Sequence, residues 1–127
     1  MNDYSQIKSS RKKIELGIKG EKLAAQFLED SGYSILKQNH RVGHSDIDIL
    51  AQDKLTLVFV EVRTKSGEER GMPEETLTPK KLRRMKKTAE LYIAFNHYEG
   101  SARLDAICIV VDESDRIKHF EHYIGVG

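Results

Sequence analysis

Three groups of charged residues lie where apolar residues are expected. Glu21 interrupts the apolar face of a predicted helix, Asp46 and Asp48 alternate with isoleucine on a predicted strand, and Glu61 and Arg63 end an otherwise apolar strand. Residues two apart on a strand share a face, so each strand presents one charged pair. Carboxylates on adjacent strands can converge on a hard divalent cation, and Mg²⁺ typically takes one or two of them together with water and substrate phosphate. Asp48 and Glu61 are the pair that this chemistry needs.

Each group also has an ordinary structural explanation. Glu21 could form an ion pair with an arginine or lysine at the edge of the core. The aspartates could lie on an edge strand that faces water, and Arg63 could form a cross-strand salt bridge with Asp48. A single site explains all three groups together, because a short turn around residues 53–54 should make the two strands antiparallel neighbours.

Hydrophobic periodicity predicts the elements that position these residues. A helix is expected over residues 11–31 with Gly32 as its C-terminal cap, followed by strands over 33–39, 46–51 and 55–64 and a loop over 65–77. Thr78 and Pro79 are typical of a helix start. Two more strands, over residues 103–111 and 116–123, complete the order α-β-β-β-α-β-β. A crossover through the second helix predicts a parallel pair, and therefore an α/β fold with a mixed central sheet flanked by helices.

Composition sets the class of protein. The chain has 127 residues, 39% of them hydrophobic, which suits one domain over residues 11–127 preceded by a flexible N-terminus over residues 1–10. No apolar run approaches the roughly 20 residues of a membrane-spanning helix. The single cysteine, Cys108, excludes an intramolecular disulfide and a cysteine-based zinc site, and its apolar neighbours predict that it is buried. We expect a cytoplasmic protein without membrane contact.

Basic residues are clustered although the formal net charge is only +1. The second predicted helix begins with four of them, Lys80, Lys81, Arg83 and Arg84. A local basic patch on a nearly neutral protein suits contact with a phosphate backbone. The alternative is a solvated helix face.

The arrangement Glu21, Asp48 and Glu61-Val-Arg63 resembles the constellation of PD-(D/E)XK nucleases. More closely, the chain resembles the YraN-like family of small bacterial proteins, which is related to archaeal-type Holliday junction resolvases. Five stretches carry this resemblance in family order between about residues 17 and 111: GIKGEKLAAQFLEDSGYSIL, SDIDILAQD, LVFVEVRTKSG, GMPEETLTPKKLRRMKKTAELYI and RLDAICIV.

The resemblance implies a restriction-endonuclease-like fold and a site that cleaves phosphodiesters with Mg²⁺ or Mn²⁺. Its catalytic residues are Glu21, Asp48, Glu61 and Arg63, with Asp48 and Glu61 as metal ligands and Asp46 as a supporting residue. The resemblance also matches Lys81 to a basic residue at the start of the second helix, and Arg103 and Asp105 to an Arg-x-Asp motif in which Asp105 supports the structure. From the charge pattern we expect Lys80, Lys81, Arg83 and Arg84 to contact nucleic acid, and from the strand period we take Lys65 as a further supporting candidate. Arg63 occupies the position of the family's usual lysine. An arginine stays protonated and cannot act as a general base, although it can bind phosphate oxygens.

Two functions from different classes follow. The first is a metal-dependent endonuclease acting on structured or branched DNA, and resolvase analogy suggests a homodimer. The second is a nucleic-acid-binding protein of the same fold with weak or no catalysis, which Arg63 favours. A purely structural domain that binds a partner explains the basic cluster but not three acids on one face.

Overall fold

Five strands form one mixed sheet with a helix on each face. The computed structural model describes residues 3–67 and 69–127. Its elements are, in chain order, α1 (Asp3–Asp30), β1 (Ser34–Val42), β2 (Ser45–Asp53), β3 (Thr56–Ser66), a 3-10 helix (Pro73–Thr76), α2 (Pro79–Phe95), β4 (Ser101–Val111) and β5 (Ile117–Ile124). The predicted order of helices and strands is confirmed. Within the described residues, neither helix is long and apolar enough to cross a membrane.

The strands follow one another in the sheet in the order β1-β2-β3-β4-β5. Only β3 and β4 are parallel, because α2 carries the chain back across the sheet between them, as predicted. The other three neighbouring pairs are antiparallel. Pairing between β2 and β3 begins only at Ile49, so the stretch of β2 before it has β1 as its one paired neighbour. The edge-strand explanation therefore holds for the exposed Asp46. It does not hold for Asp48, whose carboxylate contacts β3 at the N–H of Val62.

The ends of several elements differ from the prediction. Helix α1 begins at Asp3 rather than at residue 11, because residues 3–10 contain no helix breaker although they have no apolar face to reveal a helix. The predicted flexible segment includes residues 1 and 2, which lie outside the described residues, and its boundary at residue 11 stays a prediction. The predicted loop over 65–77 contains the end of β3 and the 3-10 helix. Thr78 caps α2 as predicted, because its hydroxyl accepts a hydrogen bond from the backbone N–H of Lys81.

Alternating side chains of β3 supply two hydrophobic cores. Val58, Val60 and Val62 pack with α1, whereas Leu57 and Phe59 pack with α2. This alternation follows from the two-residue period of a strand. Glu61 and Arg63 continue the second series, and they therefore point to the α2 side of the sheet. Cys108 is fully buried, as predicted.

Helix α1 approaches β3 closely at Gly20. A Cβ atom on Gly20 would lie 1.8 Å from Oγ1 of Thr64, a distance that no pair of non-bonded atoms tolerates. The missing side chain therefore sets the separation between helix and sheet. The next residue along the helix is Glu21, so this close approach also determines how near Glu21 comes to the strands.

We expect Gly20→Ala to lower the free energy of unfolding by about 1–3 kcal/mol, because overpacking outweighs the better helix propensity of alanine. Gly17→Ala on the same helix is the matched control, since a Cβ there meets nothing within 4 Å. It should raise the free energy of unfolding by about 0.5–1 kcal/mol. Urea unfolding measures both, and equal stabilisation by the two changes would contradict the close approach.

Candidate active site

A cleft of about 410 Å³ lies between α2 and strands β2 and β3. Glu21 from α1, Asp48 from β2, and Glu61 and Arg63 from β3 all line it. The structure thus brings together the four residues that the sequence predicts as catalytic, although three different elements carry them. Glu21 reaches the cleft from the helix that covers the opposite face of the sheet.

Asp48 lies where the pairing of β2 with β3 ends. The register runs from Asp53 opposite Thr56 to Ile49 opposite Val60. At the next step, Oδ2 of Asp48 accepts a hydrogen bond of 2.9 Å from the backbone N–H of Val62. The carboxylate thus takes a bond that a strand carbonyl would otherwise accept.

The electrostatic environment of Asp48 is unfavourable for its charged form. Burial raises its pKa to about 7, and the neighbouring charges of Glu61 and then Glu21 act in the same direction. The Val62 hydrogen bond and the charge of Lys81 oppose this shift. Negative charge therefore exceeds local compensation around Asp48, as is common at functional sites.

Two cations hold Glu61, whose side chain is 10% exposed. Its Oε2 atom lies 3.2 Å from Nη1 of Arg63 and 3.3 Å from Nζ of Lys81. The cross-strand salt bridge between Arg63 and Asp48, one of the expectations from the sequence, is wrong, since Arg63 pairs with Glu61 on its own strand. Lys81 belongs to the site as well, because α2 places its ammonium group beside the buried carboxylate of Glu61.

The orientation of Arg63 depends on the 3-10 helix. Nε of Arg63 donates a hydrogen bond of 2.7 Å to Oγ1 of Thr76, and the Thr76 hydroxyl donates one of 2.7 Å to the carbonyl of Pro73. Thr76 was not predicted as a site residue. Its segment has no regular hydrophobic pattern, so the sequence carries no signal for this contact.

Glu21 lines the cleft without an ion pair to an arginine or lysine of the described residues. Burial raises its pKa and the charge of Glu61 adds to this, while a side-chain hydrogen bond with Asn39 acts in the opposite direction. No arginine or lysine among the described residues pairs with Glu21, which corrects the expectation of an ion pair at the edge of the core.

The basic residues of α2 divide into two groups. Lys81 and Arg84 line the cleft. Lys80 and Arg83 are exposed beside it on the same helix. The predicted nucleic-acid-binding set is therefore continuous with the cleft without lying entirely inside it.

The two predicted supporting residues are placed differently. Asp46 lies at the exposed rim of the cleft, with its Oδ1 atom 3.8 Å from Nη1 of Arg41. Lys65 is directed away from the cleft, because its Nζ donates a hydrogen bond of 2.8 Å to the carbonyl of Arg70. The two-residue period of β3 predicts that Lys65 shares a face with Glu61 and Arg63. Its side chain nevertheless contacts the loop after β3 and does not line the cleft.

Asp105 belongs to a separate network on the α1 side of the sheet. It is fully buried and accepts hydrogen bonds from Nε of Arg103 at 2.8 Å, Nε2 of His122 at 2.8 Å and the backbone of Gly125 at 3.1 Å. These bonds satisfy a carboxylate whose burial would otherwise be costly. The network is consistent with the structural role of Asp105 that the family resemblance implies, and Arg103 is one of its donors.

The donor set of the cleft suits a hard divalent cation. Residues 3–67 and 69–127 contain no group of three or more His, Cys, Asp or Glu that could hold a metal ion. Mg²⁺ does not need such a group, since one or two carboxylates are sufficient when water and phosphate complete its coordination. Burial first, and then the charges of Glu61 and Glu21, raise the pKa of Asp48, and a bound cation would offset these effects. Asp48 and Glu61 therefore fit Mg²⁺ or Mn²⁺.

Comparison with known proteins identifies the family. Residues 20–109 match the model of a family described as "Uncharacterised protein family UPF0102". The chain belongs to the UPF0102 family. A UPF0102 protein of Chlorobium limicola is 41% identical over 114 residues, which cover 86% of this chain and 88% of the relative. A UPF0102 protein of Pelotomaculum thermopropionicum is 38% identical over 109 residues, covering 85% and 91%. The resemblance to the YraN-like family is confirmed, and the UPF0102 segment includes all four cleft residues described above.

The raised pKa of Asp48 predicts that Asp48→Asn stabilises the protein at alkaline pH. The folded-state pKa of about 7 exceeds the ordinary value of 3.8, so the folded state retains a proton that the unfolded chain releases between these values. The free energy of unfolding therefore falls as pH rises through this window. Asparagine carries no charge and can still accept the Val62 hydrogen bond.

We expect Asp48→Asn to raise the free energy of unfolding by about 1–3 kcal/mol at pH 8, with a smaller gain at pH 5. Urea unfolding at both pH values measures the difference. Asp46→Asn is the matched control, because Asp46 is exposed and should change stability by less than about 0.5 kcal/mol. Destabilisation by Asp48→Asn at pH 8 would show that the Asp48 charge is well compensated.

Proposed function

We propose that this UPF0102 protein is a metal-dependent endonuclease with a restriction-endonuclease-like fold, and that it hydrolyses phosphodiester bonds in structured or branched DNA in the cytoplasm. One observation carries the proposal. Asp48 and Glu61, from neighbouring strands, line a single cleft together with the cations Arg63 and Lys81. Paired carboxylates beside fixed positive charge are what metal-assisted hydrolysis of a phosphodiester requires.

Asp48 and Glu61 would hold Mg²⁺ or Mn²⁺. When bound, the cation supplies positive charge that polarises the scissile phosphate and the attacking water. Glu21 lines the same cleft, and its carboxylate can accept a hydrogen bond from water and orient it. Because the pKa of Glu21 is raised, its carboxylate takes up a proton more readily than that of an exposed glutamate.

Arg63 and Lys81 stabilise negative charge on the phosphate. Each has one contact with Glu61, and Arg63 has a second with Thr76. A guanidinium carries five N–H donors and an ammonium three, so both side chains retain donors for phosphate oxygens. Arg63 contributes charge and orientation rather than proton transfer, because arginine stays protonated.

The start of α2 supports a nucleic-acid substrate. Lys80 and Arg83 are exposed, and Arg84 lines the cleft, so positive charge continues from the site onto the helix surface. Such a stripe can contact phosphates that flank the scissile bond. These contacts carry no sequence information, which suits recognition of DNA structure.

Arg63 also favours a second candidate, a nucleic-acid-binding protein without catalysis. Its guanidinium is held by Thr76 and Glu61 in an arrangement that could serve binding alone. The two candidates share the cleft and the basic stripe, and they differ only in whether the DNA is cut.

The nuclease is tested with junction, flap and linear duplex DNA in Mn²⁺ or EDTA. We expect the wild type to cut the junction and flap substrates in Mn²⁺ and to leave them intact in EDTA. The double variant Asp48→Asn with Glu61→Gln should lose at least about 10³-fold in rate and should no longer bind Mn²⁺ in calorimetry. Glu29→Gln, on the exposed side of α1 and outside the cleft, is the control and should retain both properties.

Each outcome separates the candidates. Mn²⁺-dependent cutting that depends on Asp48 and Glu61 supports the nuclease. Wild-type protein that binds DNA but leaves it intact with every divalent cation supports the second candidate. Cleavage that survives in the double variant would move the active site elsewhere.

The basic stripe is tested by the salt dependence of DNA binding, measured in Ca²⁺ to limit cleavage. Replacing Lys80, Arg83 and Arg84 with alanine should weaken binding and reduce the slope of log affinity against log salt by about 0.9 for each phosphate that the protein ceases to neutralise. A control variant with Lys12, Lys22 and Lys118 changed to alanine removes the same charge from other elements, and its slope should stay near the wild-type value. Equal slopes for the two variants would indicate that the basic residues of α2 form an ordinary solvated face without phosphate contacts.

A further inference from the structure

The 3-10 helix that orients Arg63 is itself held from the edge of the sheet. It has only four residues, Pro73–Thr76, and so short a helix has little stability of its own. Pro73 is fully buried, which anchors its first residue. The carboxylate of Glu74, the next residue, reaches the edge strand β5. The helix is therefore attached to the sheet by one apolar contact and one polar contact.

Two side chains of β5 bind Glu74. The hydroxyl of Tyr123 donates a hydrogen bond of 2.7 Å to Oε2 of Glu74, and Nε2 of His119 lies 2.6 Å from the same oxygen. Burial raises the pKa of Glu74, but these hydrogen bonds outweigh burial and keep the pKa below its ordinary value. A charged carboxylate only accepts hydrogen bonds, so His119 donates through Nε2.

The register of the sheet explains why these donors face the 3-10 helix. His119 and Tyr123 share a face of β5 with Glu121, because each is two residues away from it. Glu121 is opposite Cys108 in β4, and Cys108 is opposite Arg63 in β3. Since directly opposite residues share a face, the two donors lie on the same face of the sheet as Arg63. The 3-10 helix packs against β3 and β4, and it spans the distance between Arg63 and β5.

The orientation of Arg63 depends on this attachment. Thr76 accepts a hydrogen bond from Nε of Arg63 and donates one to the carbonyl of Pro73, so the contact is rigid only where the 3-10 helix is fixed. The side chain of Arg63 is 33% exposed, and Nη1 contacts Glu61. A long side chain of this kind loses considerable rotamer freedom when it is held in one orientation. Release of the helix would return that freedom to the guanidinium.

We infer that Glu74 is a positioning residue, which fixes the 3-10 helix to β5 and thereby, through Thr76, orients the guanidinium of Arg63 in the cleft. Its effect on catalysis rests on the proposed nuclease function, whereas its effect on the orientation of Arg63 does not. Glu74 does not line the cleft, and it acts through the place in which it holds Arg63.

The inference is tested with a double-mutant cycle between Glu74→Ala and Thr76→Val, with kcat and KM measured on junction DNA in Mn²⁺. Thr76→Val removes the hydroxyl that contacts Arg63 and keeps a branched side chain of similar size. We expect Glu74→Ala to lower kcat about tenfold, with KM changed less than about twofold, and to have little further effect when Thr76→Val is present. Additive losses of kcat would overturn the inference, because a residue that acts through Thr76 has no effect once that hydroxyl is gone.

A more conservative change covers the case in which Glu74→Ala does not fold. Tyr123→Phe removes one of the two donors to Glu74 and preserves the ring, and it should lower kcat about threefold. Glu121→Gln, at an exposed position on the same face of β5, is the matched control and should leave kcat unchanged. Equal values of kcat in these two variants would contradict the role of the Tyr123 hydrogen bond and overturn the inference.

A second readout needs no activity. The Nε–H of Arg63 donates to the 3-10 helix, so its resonance in a ¹H–¹⁵N spectrum reports this contact directly, and its absence from Arg63→Lys assigns it. The resonance should shift in Glu74→Ala and in Tyr123→Phe and stay in place in Glu121→Gln. The Nε–H of Arg103, which belongs to the network on the other face of the sheet, is the internal reference and should stay in place in Glu74→Ala.

The two readouts separate failure of this inference from failure of the proposed function. An Arg63 resonance that does not respond to Glu74→Ala or Tyr123→Phe, in a protein that cuts DNA, overturns the positioning role and leaves the nuclease intact. A resonance that responds, in a protein that cuts no DNA, supports the positioning of Arg63 and overturns the nuclease.

Discussion

Repulsion between three carboxylates in one cleft is the constraint on which the rest of the site depends. Burial and the charges of Glu61 and Glu21 together raise the pKa of Asp48 to about 7. Two cations, Arg63 and Lys81, contact only one of these acids directly. Isolated in water, such groups would move apart, so the fold must hold them together at some cost in stability. A site that is unfavourable for stability and suited to cation binding is the usual sign of selection for function.

The fold meets this constraint by fixing each charged side chain from a different element. Gly20 lets α1 approach β3 closely enough for Glu21 to reach the cleft. The end of the β2–β3 ladder leaves the N–H of Val62 for Asp48, and Thr76 fixes Arg63 through its Nε atom. The two hydrophobic cores on either side of the sheet provide the rigid frame, because a cation site loses its geometry if its ligands can relax.

Membership of the UPF0102 family and the geometry of the cleft support the proposal at different levels. The family match covers residues 20–109, and therefore α2 and all the strands that line the cleft. The chemistry is argued from the residues themselves, namely two hard carboxylates, two cations and a continuous basic stripe. Arg63 decides what kind of catalysis is open to this site, since its permanent charge leaves proton transfer to carboxylates and water.

The sequence by itself determined the order of the elements, the parallel pair and the faces of β3, because these depend on periods of 2.0 and 3.6 residues that are local properties of the chain. The two-residue period fails in β2, where Ile47 packs in the core on the α2 side and Ile49 in the core on the α1 side. The sequence nevertheless placed Asp48 and Glu61 together, and Glu21 on the inner side of its helix. It could not determine that Lys81 pairs with Glu61 or that Thr76 holds Arg63. Those contacts join residues whose separation along the chain carries no periodic signal. They were decided by the tertiary structure, through the path of the chain after β3.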